Sequence, residues 1–100
     1  MKNLIRIVKM EFEPEKVETF LALFERQKNL IRAAQGCLRL ELLQDQEKPN
    51  VFMTYSWWVS VEDLNQYRKS KLFQSTWALT KPLFNRAPEA WSLSQLHFLP

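Results

Sequence analysis

Few residues in this chain are able to do chemistry. His97 is the lone histidine. Imidazole is the side chain that titrates near neutrality, so His97 is the natural proton shuttle; its place beside Phe98 and Pro100 equally suits a surface residue at a strand end. Tyr67 carries a phenol that can donate a hydrogen bond to a bound phenol or quinone oxygen, or pack between helix and sheet with its hydroxyl at the edge. Trp57, Trp58, Phe73 and Trp77 offer flat faces for a planar ligand, and the same side chains serve as core. Arg39 and Glu41 share a strand face, where they could hold an anion and activate a proton, or form a weak ion pair. Cys37 has no second cysteine or paired histidine beside it and reads as a small buried residue. No Ser/His/Asp or Cys/His set is visible, and Glu13, Glu15 and Glu18 form a helix-start cluster.

Counts narrow the classes further. One glycine rules out phosphate-cradling loops, one cysteine rules out a disulfide framework or cysteine-rich zinc site, and one histidine rules out a multi-histidine metal site within the chain. No metal or organic cofactor is expected. The net charge is +3, but the signs alternate along the chain. Apart from the loose group Arg68, Lys69 and Lys71, no basic stripe of the kind that grips nucleic acid exists, so no nucleic-acid partner is expected. No apolar run reaches membrane-spanning length. Charges interrupt the N-terminal stretch MKNLIRIVKMEFE, which is not a signal peptide. A cytoplasmic location with no membrane partner is the expectation. The 100 residues suffice for one domain with a real core.

These side chains need elements to position them. Residues 3–12 alternate as a strand, with Leu4, Arg6, Val8, Met10 and Phe12 on one face and Ile5 and Ile7 on the other. Glu13-Pro14-Glu15 opens a helix. Its stripe of Val17, Phe20, Leu21, Phe24 and Ile31 runs to about Ala34, with Gly36 as a left-handed stop. Cys37–Asp45 is a second strand: Leu38, Leu40 and Leu42 face one way, Cys37, Arg39, Glu41 and Leu43 the other. A polar turn over 46–50 leads to a third strand, Val51–Val59, in a hairpin. There Trp57 and Trp58 point to opposite faces. Ser60 caps the next helix. Leu64 and Tyr67 lie on one side of it, whereas Phe73, Trp77 and Phe84 fall roughly opposite at the helical period. One straight helix cannot bury both sets, so the spacing predicts a break near Ser70. Pro82 ends the second piece, a turn lies around Pro88, and Ala90–Phe98 alternates as a fourth strand.

The order β-α-β-β-α-β, with its second helical region split, is the α+β ferredoxin-like arrangement: a four-stranded antiparallel sheet with helices on one face. The other face also carries large apolar residues. A patch of that size marks an interface, and two sheets packed face to face would cover it, so a homodimer is expected.

The stretch Tyr55-Ser56-Trp57-Trp58-Val59-Ser60-Val61-Glu62-Asp63-Leu64, continued through Tyr67, Ser70 and Phe73, resembles the third-strand and following-helix signature of the antibiotic biosynthesis monooxygenase (ABM) domain family. Trp58, Ser60, Glu62, Leu64, Ser70 and Phe73 fill its places. Gly36-Cys37 looks like the family's Pro-Gly-Cys junction, with Gln35 in the proline position. The resemblance covers nearly the whole chain, 1–100 as one ABM-like domain. It implies a dimeric α/β barrel with a cavity between sheet and helices in each subunit, and, for some members, oxidation of polyaromatic substrates by O2 without metal or flavin. The haem-degrading branch uses a Trp and a His where this chain has Tyr67 and Trp77, and an Asn in strand one, where none follows Asn3. Haem chemistry is therefore not expected.

Two readings stand from sequence. One is a cofactor-independent monooxygenase or related enzyme acting on an aromatic or quinone-like molecule, with Tyr67 and His97 as proton-handling groups and Trp57, Trp58, Trp77, Phe73 and Arg39 contacting substrate. The other is a non-catalytic dimer that binds a small apolar ligand.

Overall fold

The computed structural model describes residues 3–100; the first two residues of the N-terminal stretch discussed above, Met1 and Lys2, lie outside them. Alternating apolar residues give β1 (Leu4–Phe12), β2 (Cys37–Gln44), β3 (Val51–Trp58) and β4 (Phe84–Ser94). The helices are α1 (Val17–Arg32), entered through a 3-10 turn at Pro14–Lys16, then α2 (Val61–Lys69) and α3 (Lys71–Thr80). The strands form one antiparallel sheet in the order β2-β3-β1-β4. This is the α+β ferredoxin-like fold expected from the element order.

The helices cover the face bearing Val8, Met10 and Phe12 of β1. One core cluster joins Met10, Phe12, Phe52 and Leu83 to Phe20 of α1. Phe12 is fully buried and stacks on Phe20 with ring centroids 4.2 Å apart. The core stripe of α1 contains Leu23, while Leu21, expected in it, is 39% exposed. A second cluster joins Cys37, Trp58 and Leu64 near the start of α2.

Cys37 departs from the strict alternation expected of its strand. It pairs with Trp58, and Arg39 pairs with Trp57, so β2 has one extra residue there. The bulge turns Cys37 to the helix side while Arg39 and Glu41 stay on the open side. Gly36, immediately before it, adopts φ +82°. It does not cap α1 directly, because Ala33 ends that helix with an ordinary φ of −83°. Gly36 instead makes the left-handed turn into β2, and its backbone lies where a Cβ would run into Asp63 of α2.

The break near Ser70 is present. Ser70 ends α2 and begins α3 with an extended ψ of 156°. Its hydroxyl donates to the Tyr67 carbonyl at 2.6 Å and accepts from the Phe73 N–H at 3.1 Å. One side chain thus satisfies a loose end of each helix. α3 stops at Thr80, before a 3-10 turn containing Pro82.

The fourth strand differs from expectation. It starts at Phe84 and ends at Ser94, rather than spanning Ala90–Phe98, and Pro88 lies within it. β4 is an edge strand, so a residue without an N–H costs no ladder bond on its outer side. Between the pairs Lys9–Glu89 and Glu11–Arg86 the strand also carries an extra residue, a bulge that accommodates the proline. Starting six residues early, the strand is used up before the C-terminal segment is reached.

Candidate functional site: an aromatic cavity under the helices

Where the two core clusters fail to meet, the sheet and helices enclose a cavity of about 320 Å³, at the small end of ligand sites. The split of the helical region builds its wall. The bend at Ser70 swings α3 so that Phe73 and Trp77 line the same space as Tyr67 and Trp58. Trp58 stacks on Tyr67 at 5.1 Å, Tyr67 meets Phe73 edge-on at 5.3 Å, and Phe73 stacks on Trp77 at 5.8 Å with planes 12° apart. Trp58 is locked by its indole N–H, which donates to Ser56 Oγ at 2.9 Å.

The Tyr67 hydroxyl has no hydrogen-bond partner among the described residues, although its ring lines the cavity. Burial, and secondarily the neighbouring Cys37, push its pKa up to about 12. The phenol therefore stays protonated at neutral pH and acts as a donor. Burial also pushes the Cys37 thiol up, so it is no ready nucleophile. Thr76 Oγ1 accepts from Gln27 at 3.1 Å, and Thr80 Oγ1 donates to the Thr76 carbonyl at 2.7 Å.

Of the residues singled out from sequence, Tyr67, Trp58, Phe73 and Trp77 meet at this cavity; Trp57, Arg39 and His97 do not. Trp57 and Arg39 lie on the opposite face of the sheet, with the Arg39 guanidinium 5.2 Å over the Trp57 ring and its Nε donating to Glu41 at 2.6 Å. Strand alternation makes this unavoidable once Trp58 faces the helices. The Trp57 indole nitrogen is buried without a partner, beneath Phe98, which meets it edge-on at 5.3 Å. His97 is exposed on the segment after β4 and is not among the residues lining the cavity. The two charged residues that line the cavity, Arg6 and Arg68, were not singled out as site residues. The signal for Arg6 was visible: a charge interrupting the core face of β1.

Among the described residues, no group of three or more His, Cys, Asp or Glu is placed to hold a metal ion. No described helix is long and apolar enough to cross a membrane.

The family model for antibiotic biosynthesis monooxygenase matches residues 3–78, which takes in β1, α1, the hairpin and most of the split helical region. The chain belongs to the ABM family. Solved structures agree on the fold of this ABM domain. Rv0793 from Mycobacterium tuberculosis superposes with a TM-score of 0.89 at 18% identity, covering 98% of this chain and 99% of that one. A conserved protein from Methanosarcina mazei Go1 gives 0.88 at 22% identity over 93% and 92%. An antibiotic biosynthesis monooxygenase gives 0.85 at 20% identity over 97% and 99%. At such identities the likeness establishes architecture. No curated protein matches the chain.

Proposed function

We propose that the chain, as one ABM-like domain over residues 1–100, is a small-molecule monooxygenase that takes a flat aromatic or quinone-like substrate into the helix-side cavity. The observation that carries this reading is the continuous aromatic wall from Trp58 through Tyr67 and Phe73 to Trp77 around an open space, with the Tyr67 hydroxyl unpaired among the described residues. Stacking on these rings orients a planar substrate and excludes water. The Tyr67 O–H donates to a substrate oxygen and stabilises the charge that collects there when the substrate loses a proton. Among the described residues, no carboxylate or imidazole lines the cavity, which favours a substrate acidic enough to ionise without a protein base. In the reaction of this class that needs no metal or flavin, the carbon anion gives its electron pair to O2. A C–O bond forms, and loss of water converts the original CH2 to C=O, the second oxygen atom leaving in that water.

The reading includes a homodimer. The open face of the sheet carries Trp91 and Leu93, 41% and 45% exposed, beside Ile5, Ile7 and Trp57. Burying such a surface against a second copy removes it from water. In this reading Trp57 and Arg39 belong to the interface.

The absent base favours a second reading, a binding protein that performs no oxidation. Anthrone, a tricyclic ring with an acidic CH2, separates the two. O2 uptake with formation of the quinone, slowed about tenfold or more in Tyr67→Phe by loss of one transition-state hydrogen bond, supports the monooxygenase. Saturable binding without O2 uptake supports the binding protein.

A further inference from the structure

Two cations line a cavity that holds no counter-charge. Arg6 rises from the central strand β1, Arg68 comes from α2, and neither has an ion pair among the described residues. No aspartate or glutamate is among the lining residues. One guanidinium nitrogen of Arg6 donates to Ser92 Oγ at 2.9 Å, on the adjacent strand, which aims the group while leaving most of its donors free. Arg68 makes no side-chain hydrogen bond among the described residues. Burial, and then the nearby Arg68, lower the pKa of Arg6. The folded chain therefore holds two like charges near each other beside an apolar wall, an arrangement that an anion would relieve.

We infer that Arg6 and Arg68 form an anion clamp and that the cavity selects planar aromatic carboxylates, with the ring on the Trp58–Tyr67–Phe73–Trp77 wall and the carboxylate between the two guanidiniums. Guanidinium forks match carboxylate oxygens in pairs. The wall and the clamp line one cavity, so one ligand with a flat body and an anionic edge satisfies both. The carboxylate is an anchor rather than the reacting group, and the inference deepens the reading of the cavity as a ligand site.

Calorimetric titration of the purified full chain with 2-naphthoate and with neutral 2-naphthalenemethanol tests it. The carboxylate should bind at least about tenfold tighter, the scale of one charge-assisted hydrogen bond. Arg68→Gln, at an exposed position, should lose most of that preference, costing the carboxylate several-fold more affinity than it costs the neutral alcohol. Arg6→Gln should do the same. Equal binding of the two ligands by the natural chain, or equal losses for both in Arg68→Gln, overturns the clamp and leaves the aromatic cavity standing. If neither ligand binds, the cavity reading falls together with the clamp.

Discussion

The indole of Trp58 and the phenol ring of Tyr67 stack with centroids 5.1 Å apart and planes 29° apart. One residue ends β3 and the other lies nine positions later in α2. The strand-to-helix connection capped by Ser60, whose hydroxyl accepts from the Asp63 N–H at 3.1 Å, brings them together and sets the first two panels of the cavity wall.

Removing the Tyr67 hydroxyl should separate packing from chemistry. Tyr67→Phe keeps the stack on Trp58, and no partner of the hydroxyl among the described residues is lost. The melting temperature should stay within a few degrees of the natural chain. Affinity for 2-naphthol should fall by about three- to tenfold, the scale of one hydrogen bond. Calorimetry and thermal unfolding read the two effects separately.

The same residue makes an alkaline prediction. An unfolded tyrosine ionises near about 10, whereas burial holds Tyr67 at about 12. The folded state binds this proton more tightly, so its stabilising contribution is complete below about pH 10 and is lost as pH rises from there through about 12. Urea unfolding at pH 9 and pH 11 should show a drop in stability that is smaller in Tyr67→Phe.

Ser70→Ala should destabilise the fold by about 1–2 kcal/mol, because one hydroxyl serves the ends of two helices. The loss should also loosen the cavity wall, since the bend places Phe73 and Trp77. Chemical denaturation measures the first effect; weaker binding of an aromatic ligand at temperatures where the variant is fully folded measures the second.

Gly36→Ala should cost more than a typical surface change, about 1–3 kcal/mol. A side chain there meets a φ of +82° and the flank of Asp63 at once. Gly36→Ala combined with Asp63→Ala should recover part of the loss by removing the collision but not the backbone strain. Denaturation midpoints of the single and double variants decide it.

The open sheet face yields a test of assembly. Leu93→Glu places a charge among Ile5, Trp91 and neighbouring apolar side chains on that face. Sedimentation should show the natural chain as a dimer at micromolar concentration and the variant as a monomer with unchanged circular dichroism. A monomeric natural chain would remove the homodimer from the reading.

The sequence by itself determined the order of elements, the antiparallel hairpin and the break at Ser70. Each depends on periodicity or capping among residues close in the chain. The opposite phases of Leu64–Tyr67 and Phe73–Trp77 allow one straight helix no single buried side, and a serine stands where a cap is needed. The opposed directions of Trp57 and Trp58 were legible for the same reason. Which of the two faces the helices was decided only by the tertiary structure, because alternation is symmetric until one side is covered. The bulge that turns Cys37 inward and the passage of Pro88 through β4 were likewise hidden. A bulge depends on the partner strand's register, and a proline is tolerated inside a strand where the neighbours make that strand an edge or a bulge makes room for it. His97 and Arg39 carried the more reactive groups on paper, yet they lie outside the cavity. Arg6 and Arg68 became site residues because β1 and α2, 62 positions apart in the chain, fold over the same space.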